Sequence, residues 1–315
     1  MFFIFRIPCS NPNLYSTGTE MDTQALLAFV AVAETGSFSL AAERLRLTQP
    51  AVSKRVAALE SSLGTRLFDR IGRSVSTTEA GATLLPRADR ILREMADAER
   101  CLRDIDGAVG GKLCIGTSHH VGLHRLPPVL RKFARNHPQV ELEIRFMDSE
   151  KAHEAVATGR LELAVVTLDP EGDDIRLQAT AVWDDPLSVM VSRDHPLAGH
   201  REVDVEALGA WPAVLPGSGT YTGQILQSLF AARGVRLKVG MSTNYLETLR
   251  MLTAIGLGWS VLPDTMLTAE LVKLELSGAT MRRELGHVVH RSRSLSNAGR
   301  VMLALLDAEA ADQGG

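Results

Sequence analysis

The first stretch of regular hydrophobic spacing begins just after Asp22. Apolar residues recur there at intervals of three and four positions, at Leu26, Phe29, Val30 and Ala33. This spacing of i, i+3, i+4 and i+7 is typical of an amphipathic helix. The pattern stops at Gly36, so we expect the helix to end there.

Two further helices are predicted directly after the first. Ser37 and Ser39 are alternative caps for a short second helix. The inward side of that helix is formed by Phe38, Ala41, Ala42 and Leu45. After a tight connection at residues 46–47, Thr48 is placed to cap a third helix, whose first turn tolerates Pro50 because it makes no use of the missing N–H. The third helix ends at Gly64, and its buried stripe is Val52, Val56, Leu59 and Leu63.

The exposed face of the third helix is polar and basic. Helix, short helix, tight turn and helix form the helix-turn-helix arrangement, whose last helix enters the DNA major groove. Gln reads adenine through two hydrogen bonds, and Pro contacts a thymine methyl group. We therefore predict DNA contacts from Ser37, Ser39, Thr48, Gln49, Pro50, Ser53, Lys54 and Arg55. The spacing alone fits any small three-helix bundle equally well.

A basic hairpin is predicted beside the third helix. The chain runs from Leu67 through Arg70 to a turn at Gly72 and returns through Arg73 to Thr77. A hairpin in this place is a wing, and its two arginines are expected to reach phosphates or a minor groove. The alternative is a solvated surface loop.

Charge favours the DNA interpretation locally but not globally. The whole chain has a formal net charge of -3, whereas residues 43–73 contain seven basic and three acidic residues. A DNA-binding element requires a basic patch and not a basic chain.

A long helix with heptad spacing follows the hairpin. Thr78 is placed as its cap, and the apolar stripe is Leu84, Ala88, Ile91, Met95, Ala98, Leu102 and Ile105. The 29 residues from Thr78 to Asp106 would extend about 43 Å as a helix. Such a stripe predicts pairing with the same helix of a second copy, or burial against the chain's own second domain.

Beyond the glycines at residues 107–111, predicted strands and helices alternate, which indicates an α/β sheet with parallel pairs. The predicted strands are 112–117, 140–146, 161–168, 213–215 and 237–243. The predicted helices are 126–136, 151–158, 222–233 and 247–255. The interrupted alternation predicts two lobes.

Candidate ligand-binding residues follow the predicted strands. Ligands of open α/β sheets bind at the carboxyl ends of strands, where helix N-termini converge. This rule selects Thr117, Ser118, His119, His120, Thr167, Ser218, Thr220 and Thr243. Hydroxyls and a glycine-rich turn suit an anionic ligand, although each residue alone could equally be an ordinary helix cap.

The histidines of this set raise the question of a metal ion. His120 and His124 would share one helix face, but no carboxylate or cysteine lies near them at the spacing of metal ligands. We therefore expect no metal and no cofactor.

Composition limits the remaining possibilities. A length of 315 residues predicts two folded units. Three unrelated cysteines are consistent with a reducing cytoplasm, and no stretch is apolar enough to span a membrane. Residues 1–20 are expected to form a leader without regular structure, which makes Met21 an alternative start.

An ordered set of motifs resembles the DNA-binding domain of LysR-type transcriptional regulators. From Phe29 the chain reads FVAVAETGSFSLAAERLRLTQPAVSKRVAALESSLGTRLFDRIGRSVSTTEAG. The matching segments are Phe38–Ala42, Thr48–Ser53, Leu59–Leu63, Leu67–Arg70 and Thr78–Gly81. The second half carries the similar segments RDHPL at 193–197 and GLGWSVLP at 256–263, so the resemblance extends over about 21–311.

The resemblance implies a two-part architecture and a regulatory function. A winged helix-turn-helix at 21–78 and a linker helix at 79–110 would precede a two-lobed domain similar to type 2 periplasmic binding proteins at 111–311. Lobe 1 would comprise 111–182 and 286–311, and lobe 2 would comprise 183–285. The implied partners are double-stranded promoter DNA, a small effector, a second copy in a homodimer or homotetramer, and RNA polymerase as a further candidate.

Two other classes compete with a regulator. An enzyme is disfavoured because the chain lacks a GxSxG elbow, a phosphate-binding loop and an HExxH motif. A solute-binding protein would explain the second half, but it would leave the helix-turn-helix without a purpose. The sequence does not identify the effector, the target genes, the sign of regulation or the oligomeric state.

Overall fold

The computed structural model describes residues 22–71, 74–103 and 107–313, with the side chains of residues 70, 71, 74, 101, 103, 312 and 313 left out. The chain divides into two compact units, Met1–Ala98 and Glu99–Gly315. The predictions for the leader, for Gly72 and for Arg73 lie outside the described residues.

The first unit contains the predicted helices and hairpin. Its elements are α1 (Thr23–Thr35), α2 (Phe38–Leu45), α3 (Gln49–Leu63), β1 (Phe68–Ile71), β2 (Ser74–Thr77) and the first part of α4 (Glu79–Arg103), which continues past Ala98 into the second unit. Strands β1 and β2 pair antiparallel. The core beneath the helices includes Phe29, Val52, Leu59 and Phe68.

Local sequence signals set the helix ends in this unit. Gly36 and Gly64 take left-handed conformations, with φ of 61° and 66°, and end α1 and α3 as predicted. Ser37 caps α2, which decides between the two predicted serines, and Thr48 caps α3. The Thr78 hydroxyl accepts a hydrogen bond from Gly81 N at 3.1 Å at the start of α4.

The heptad stripe of α4 changes its environment along the helix. Ala88 is buried and Leu84 packs against the core of the first unit. Farther along, Ile91, Met95 and Leu102 are 38%, 43% and 69% exposed in the single chain. The second half of the stripe is therefore available to a partner helix.

The described residues of the second unit form an eight-stranded sheet and a separate two-stranded sheet. Its strands are β3 (Gly111–Thr117), β4 (Val140–Phe146), β5 (Leu163–Thr167), β6 (Leu177–Ser192), β7 (Glu202–Val203), β8 (Ala213–Leu215), β9 (Val239–Ser242), β10 (Ser260–Pro263), β11 (Leu271–Leu276) and β12 (Met281–His290). Its helices are α5 (His119–His124), α6 (Leu126–Asn136), α7 (Ser149–Ala157), α8 (Val205–Gly209), α9 (Tyr221–Ala232), α10 (Leu246–Ala254) and α11 (Asn297–Gln313). The nine elements predicted for this half are present, with ends within two residues of those predicted.

Two long strands join two lobes in this unit. In lobe 1, β3 pairs in parallel with β4 and β5. In lobe 2, β8 pairs in parallel with β9. Strand β6 pairs antiparallel with β12 for most of its length and then with β10 and β11 in lobe 2. The crossing from one lobe to the other lies where Asp185 pairs with Arg283.

The crossing strands and the last helix were not assigned from the sequence. Strands β6 and β12 are antiparallel, and α11 packs its buried residues Ala298, Met302 and Leu306 into the lobe 1 core. Among the described residues, no helix combines the length and apolar character needed to cross a membrane.

Candidate functional site

The polar face of α3 is the candidate DNA-reading surface. Gln49, Pro50 and Lys54 are exposed, and Ser53 is half-buried. Gln49 Nε2 donates to Ser53 Oγ at 2.8 Å, which holds the amide along the helix surface. Arg55 Nη1 donates to Gln24 Oε1 at 3.1 Å and so lies towards α1.

The other predicted DNA contacts differ in exposure and in hydrogen bonding. The hydroxyls of Ser37 and Thr48 accept hydrogen bonds from Leu40 N and Ala51 N, each at 3.4 Å, so both already cap helices. Ser39 is exposed. The side chain of Arg70 and all of Arg73 lie outside the described residues.

A cleft of about 280 Å³ lies between the two lobes of the second unit. Lobe 1 contributes residues after β3 and β4, including His119 and Glu150. Lobe 2 contributes the start of α9 and residues after β9, including Tyr221 and Asn244. Arg283 lies in the lining at the strand crossing. The cleft thus forms where strand ends of both lobes meet β6 and β12, the two long strands that join the lobes.

A buried charge cluster lies beside the cleft. Asp185 is fully buried, and its two oxygens accept from Arg283 Nε at 2.8 Å and from Arg125 Nη2 at 3.3 Å. Arg283 Nη1 donates to Thr222 Oγ1 of α9 at 3.1 Å. Arg283 Nη2 is buried and has no hydrogen-bond partner among the described residues. One carboxylate therefore serves two guanidinium groups.

The protonation states in this cluster follow from burial and from these neighbours. Burial opposes ionisation of Asp185, but His120 and Arg283 outweigh it and hold the pKa of that carboxyl at about 2. Burial lowers the pKa of His120, with Asp185 opposing and Arg283 adding to the effect. At neutral pH, an ionised Asp185 and a neutral His120 thus leave the cluster of Asp185, Arg125 and Arg283 with one net positive charge.

Polar contacts cross the cleft at two further places. Glu150 Oε1 of α7 accepts from Tyr221 N, the first residue of α9, at 2.6 Å. A carboxylate at a helix N-terminus is favourable because the free N–H groups there carry positive partial charge. His124 Nε2 of α5 and Glu247 Oε1 of α10 lie 2.8 Å apart. Both contacts join lobe 1 to lobe 2.

Aromatic rings from both lobes pack together in the lining of the cleft. The ring of His119 lies 5.0 Å from that of Phe146 in lobe 1 and 4.7 Å from that of Tyr245 in lobe 2. Aromatic edges and faces at these distances attract one another.

Five of the eight predicted ligand-binding residues line the cleft, namely Ser118, His119, His120, Thr167 and Thr220. Two of the five also serve as caps. The hydroxyl of Ser118 accepts from Val121 N at 3.4 Å, and that of Thr220 accepts from Gly223 N at 3.0 Å. The alternative interpretation as helix caps thus fits the hydroxyls of both residues.

Three predicted residues are not in the lining of the cleft. The Thr117 hydroxyl is fully buried and donates to Val165 O at 2.8 Å, so it serves the sheet. Ser218 is exposed and lines a separate cavity near Gln227. The Thr243 hydroxyl accepts from Tyr245 N at 3.4 Å.

Several lining residues were missed from the sequence, notably Glu150, Tyr221, Thr222 and Arg283. Glu150, Tyr221 and Thr222 lie at the starts of predicted helices, so the strand-end rule could have included them. Arg283 carries no local signal, because its burial depends on pairing with Asp185, 98 positions earlier in the chain.

The comparisons with known proteins cover both units. Residues 23–82 match the family model described as "Bacterial regulatory helix-turn-helix protein, lysR family". Residues 106–311 match the model "LysR substrate binding domain".

Individual relatives agree with these family models. A RuBisCO operon transcriptional regulator of Allochromatium vinosum is 30% identical over 291 residues, which are 91% of this chain and 95% of that protein. An uncharacterized HTH-type transcriptional regulator of Azotobacter vinelandii, from the ibpB-leuC intergenic region, is 65% identical over 108 residues. That match covers 34% of this chain and 75% of that protein.

Among solved structures, full-length CbnR complexed with its target DNA has the same fold. The TM-score is 0.65 at 20% sequence identity, over 92% of this chain and all of that one (100%). With two matching family models and a relative similar over nearly its whole length, the chain belongs to the LysR family of bacterial transcriptional regulators.

Proposed function

We propose that this DNA-binding transcription regulator responds to a small anionic effector, which binds in the cleft between lobes 1 and 2 and is held by Arg283. The proposed domains are a winged helix-turn-helix at 21–78, a linker helix at 79–110 and an effector domain at 111–311. The relatives are transcriptional regulators, and we propose no catalytic role for the cleft.

The unpartnered nitrogen of Arg283 carries this proposal. The side chain is 7% exposed and lies in the lining of the cleft, and its Nη2 has no partner among the described residues. A buried guanidinium nitrogen without an acceptor is costly, and a carboxylate or phosphate oxygen satisfies it with a charge-assisted hydrogen bond.

The surrounding charges favour an anion over a cation. Arg125 and Arg283 share Asp185, which leaves one positive charge uncompensated. The other charged groups at the cleft are engaged, since Lys151 Nζ pairs with Asp148 Oδ2 at 3.0 Å and Glu150 accepts from Tyr221 N. The volume of about 280 Å³ fits a metabolite rather than a macromolecule.

On the DNA side, we propose that α3 enters the major groove. Gln49, Pro50, Ser53 and Lys54 would face the bases, while the wing arginines Arg70 and Arg73 hold phosphates. Two such units in one homo-oligomer would bind two half-sites and so supply the DNA sequence specificity that a single unit lacks. The exposed half of the α4 stripe supports pairing through that helix.

The proposed mechanism couples the cleft to the DNA. An effector that binds one lobe angle better than another shifts the population towards it, and this changes the spacing of the paired winged units on the DNA. We propose that the chain acts in the cytoplasm, at promoters, where RNA polymerase is the further partner.

A thermal-shift screen of the full-length chain against small carboxylates, phosphates and sulfur or nitrogen metabolites tests the effector site. An effector at one hundred times its Kd should stabilise the fold by about 2.7 kcal/mol. Arg283→Gln should abolish that gain, and Arg283→Lys should retain part of it. Arg282→Gln is the matched control, because Arg282 is exposed and pairs with Asp184 on the surface. An unchanged response in Arg283→Gln would refute the anchor.

A further inference from the structure

We propose that His120, His124 and Glu247 form a binding site for one divalent transition metal ion of the Zn²⁺ class, which ties lobe 1 to lobe 2. This site is distinct from the anion position at Arg283, and its test does not require the effector.

The three ligand atoms converge from both lobes. One ligand atom from each residue lies within 4.8 Å of the other two. His120 and His124 stand one turn apart on α5 of lobe 1, with ring centroids 5.0 Å apart. Glu247 is in the first turn of α10 in lobe 2, and its Oε1 lies 2.8 Å from His124 Nε2. Ligands about 2.1 Å from a tetrahedral ion are roughly 3.4 Å apart, so a small rotation of the rings forms the site.

His120 provides the independent observation that points to a ligand. The side chain is 5% exposed, and neither ring nitrogen has a hydrogen-bond partner among the described residues. The nearest carboxylate oxygen is Asp185 Oδ2, at 3.9 Å from His120 Nε2, which is beyond hydrogen-bonding distance. A buried imidazole in this state needs a partner, and a metal ion supplies one.

A direct hydrogen bond between the lobes, without a metal ion, accounts for fewer of these side chains. The hydrogen bond of His124 with Glu247 would account for two of the three residues, but it leaves both nitrogens of His120 unsatisfied. A metal ion would engage all three side chains and would coordinate one of the two nitrogens of His120. Arg125 and Arg283 share the one carboxylate of Asp185 and leave one positive charge near the site, which opposes a cation. The Glu247 carboxylate in the ligand set supplies the negative charge that offsets it.

The surroundings of His120 and Glu247 favour the protonation states that metal binding requires. Burial lowers the pKa of His120 and so favours the neutral imidazole. Burial alone would raise the pKa of Glu247, but the hydrogen bond with His124 lowers it and keeps the carboxylate ionised. Two imidazoles and one carboxylate form a ligand set of the Zn²⁺ type, with a fourth position left for water.

The sequence predicted no metal because it offered no carboxylate near the two histidines. The fold brings Glu247 to them from 123 positions away along the chain. His124 and Glu247 keep 46% and 33% of their side-chain surface exposed, so an ion can reach the site from solvent.

The experiment titrates the metal-free, tag-free full-length protein with Co²⁺ and Zn²⁺. Visible absorption reports tetrahedral Co²⁺, and competition with a chelating dye measures Zn²⁺ affinity. We expect one ion per chain, with affinity lowered roughly tenfold or more in His124→Ala, Glu247→Gln and His120→Gln. His200→Ala is the matched control, because His200 is exposed and lies outside the cluster.

A second measurement guards against variants that misfold. Because the ligands come from both lobes, Zn²⁺ should raise the melting temperature of the wild type and of His200→Ala but not that of Glu247→Gln. Glu247 is partly exposed, so its replacement by Gln should leave the protein folded. The proposal is overturned if the wild type binds no ion at micromolar concentrations. It is equally overturned if the well-folded His124→Ala and Glu247→Gln variants bind Zn²⁺ as tightly as the wild type.

Discussion

Asp185 is a fully buried carboxylate that serves two guanidinium groups at the point where β6 and β12 pass from one lobe to the other. The residues that surround it come from segments that are far apart in the sequence. Arg125 comes from the end of α5, Arg283 from β12 and Asp185 from β6. Loss of one partner in such a buried cluster is far more costly than loss of a surface ion pair, because the remaining charges stay out of water.

Asp185→Asn should therefore lower the free energy of unfolding at pH 7 by about 3 kcal/mol. The folded-state pKa of about 2 lies below the ordinary 3.8, so ionised Asp185 stabilises the fold at neutral pH. That contribution is lost as the pH falls from about 4 towards 2, and the variant should show a weaker pH dependence there. Denaturant unfolding across this range measures both effects.

Asp184→Asn is the control for this prediction. Asp184 lies beside Asp185 in the same strand, but its side chain is 55% exposed and pairs with Arg282 on the surface. Its replacement should change the free energy of unfolding by roughly 0.5 kcal/mol or less. Equal effects of the two substitutions would contradict the buried cluster as described.

Gln49 on α3 and Arg73 in the wing should separate base reading from backbone binding. Gln49→Ala should relax base preference at one position, with a loss of ~1–3 kcal/mol if the amide makes two hydrogen bonds to one base. Arg73→Ala should weaken binding to all sequences alike and reduce the salt dependence by about one phosphate contact. Fluorescence anisotropy with single-base variants of the site, at several salt concentrations, distinguishes these outcomes. A reversed pattern would mean that the two roles are exchanged.

At the scale of elements, local patterns predicted what local physics determines. Capping residues, helical periodicity and the turn glycines set α1 to α3, and alternation set β3 to β5 with their helices. Strands β6 and β12 were not predicted from the sequence, because a long antiparallel pair that runs through two lobes has no local sequence pattern. The same reason hides Arg283 and Glu247, whose roles depend on contacts 98 and 123 positions apart.

The α4 stripe gives a prediction at this scale. Leu102→Glu and Met95→Glu should weaken self-association, because each places a charge in the exposed apolar half of the heptad stripe. Ala96→Glu is the control, since Ala96 is exposed but lies off the stripe. Sedimentation velocity over a range of protein concentrations should show smaller species only for the stripe variants. An unchanged association state in Leu102→Glu and Met95→Glu would refute pairing through α4.

At the scale of the whole molecule, each of the two units contains a different functional part of a LysR-type regulator. The first unit carries the helix-turn-helix and the start of the exposed stripe, and the second carries the cleft with its buried cationic cluster. Within the second unit, β6 and β12 continue from one lobe into the other, so the proposed effector between the lobes would act on these two strands directly.

The most direct test of the account is sequence-preferring DNA binding by the intact protein. Anisotropy should compare DNA from upstream of its own gene with a scrambled duplex of equal length, for the wild type and Gln49→Ala, at moderate salt. We predict that the wild type binds the upstream DNA at least tenfold more tightly, which corresponds to about 1.4 kcal/mol, and that Gln49→Ala loses part of this preference. Equal binding of both duplexes by folded, oligomeric wild-type protein would contradict the account.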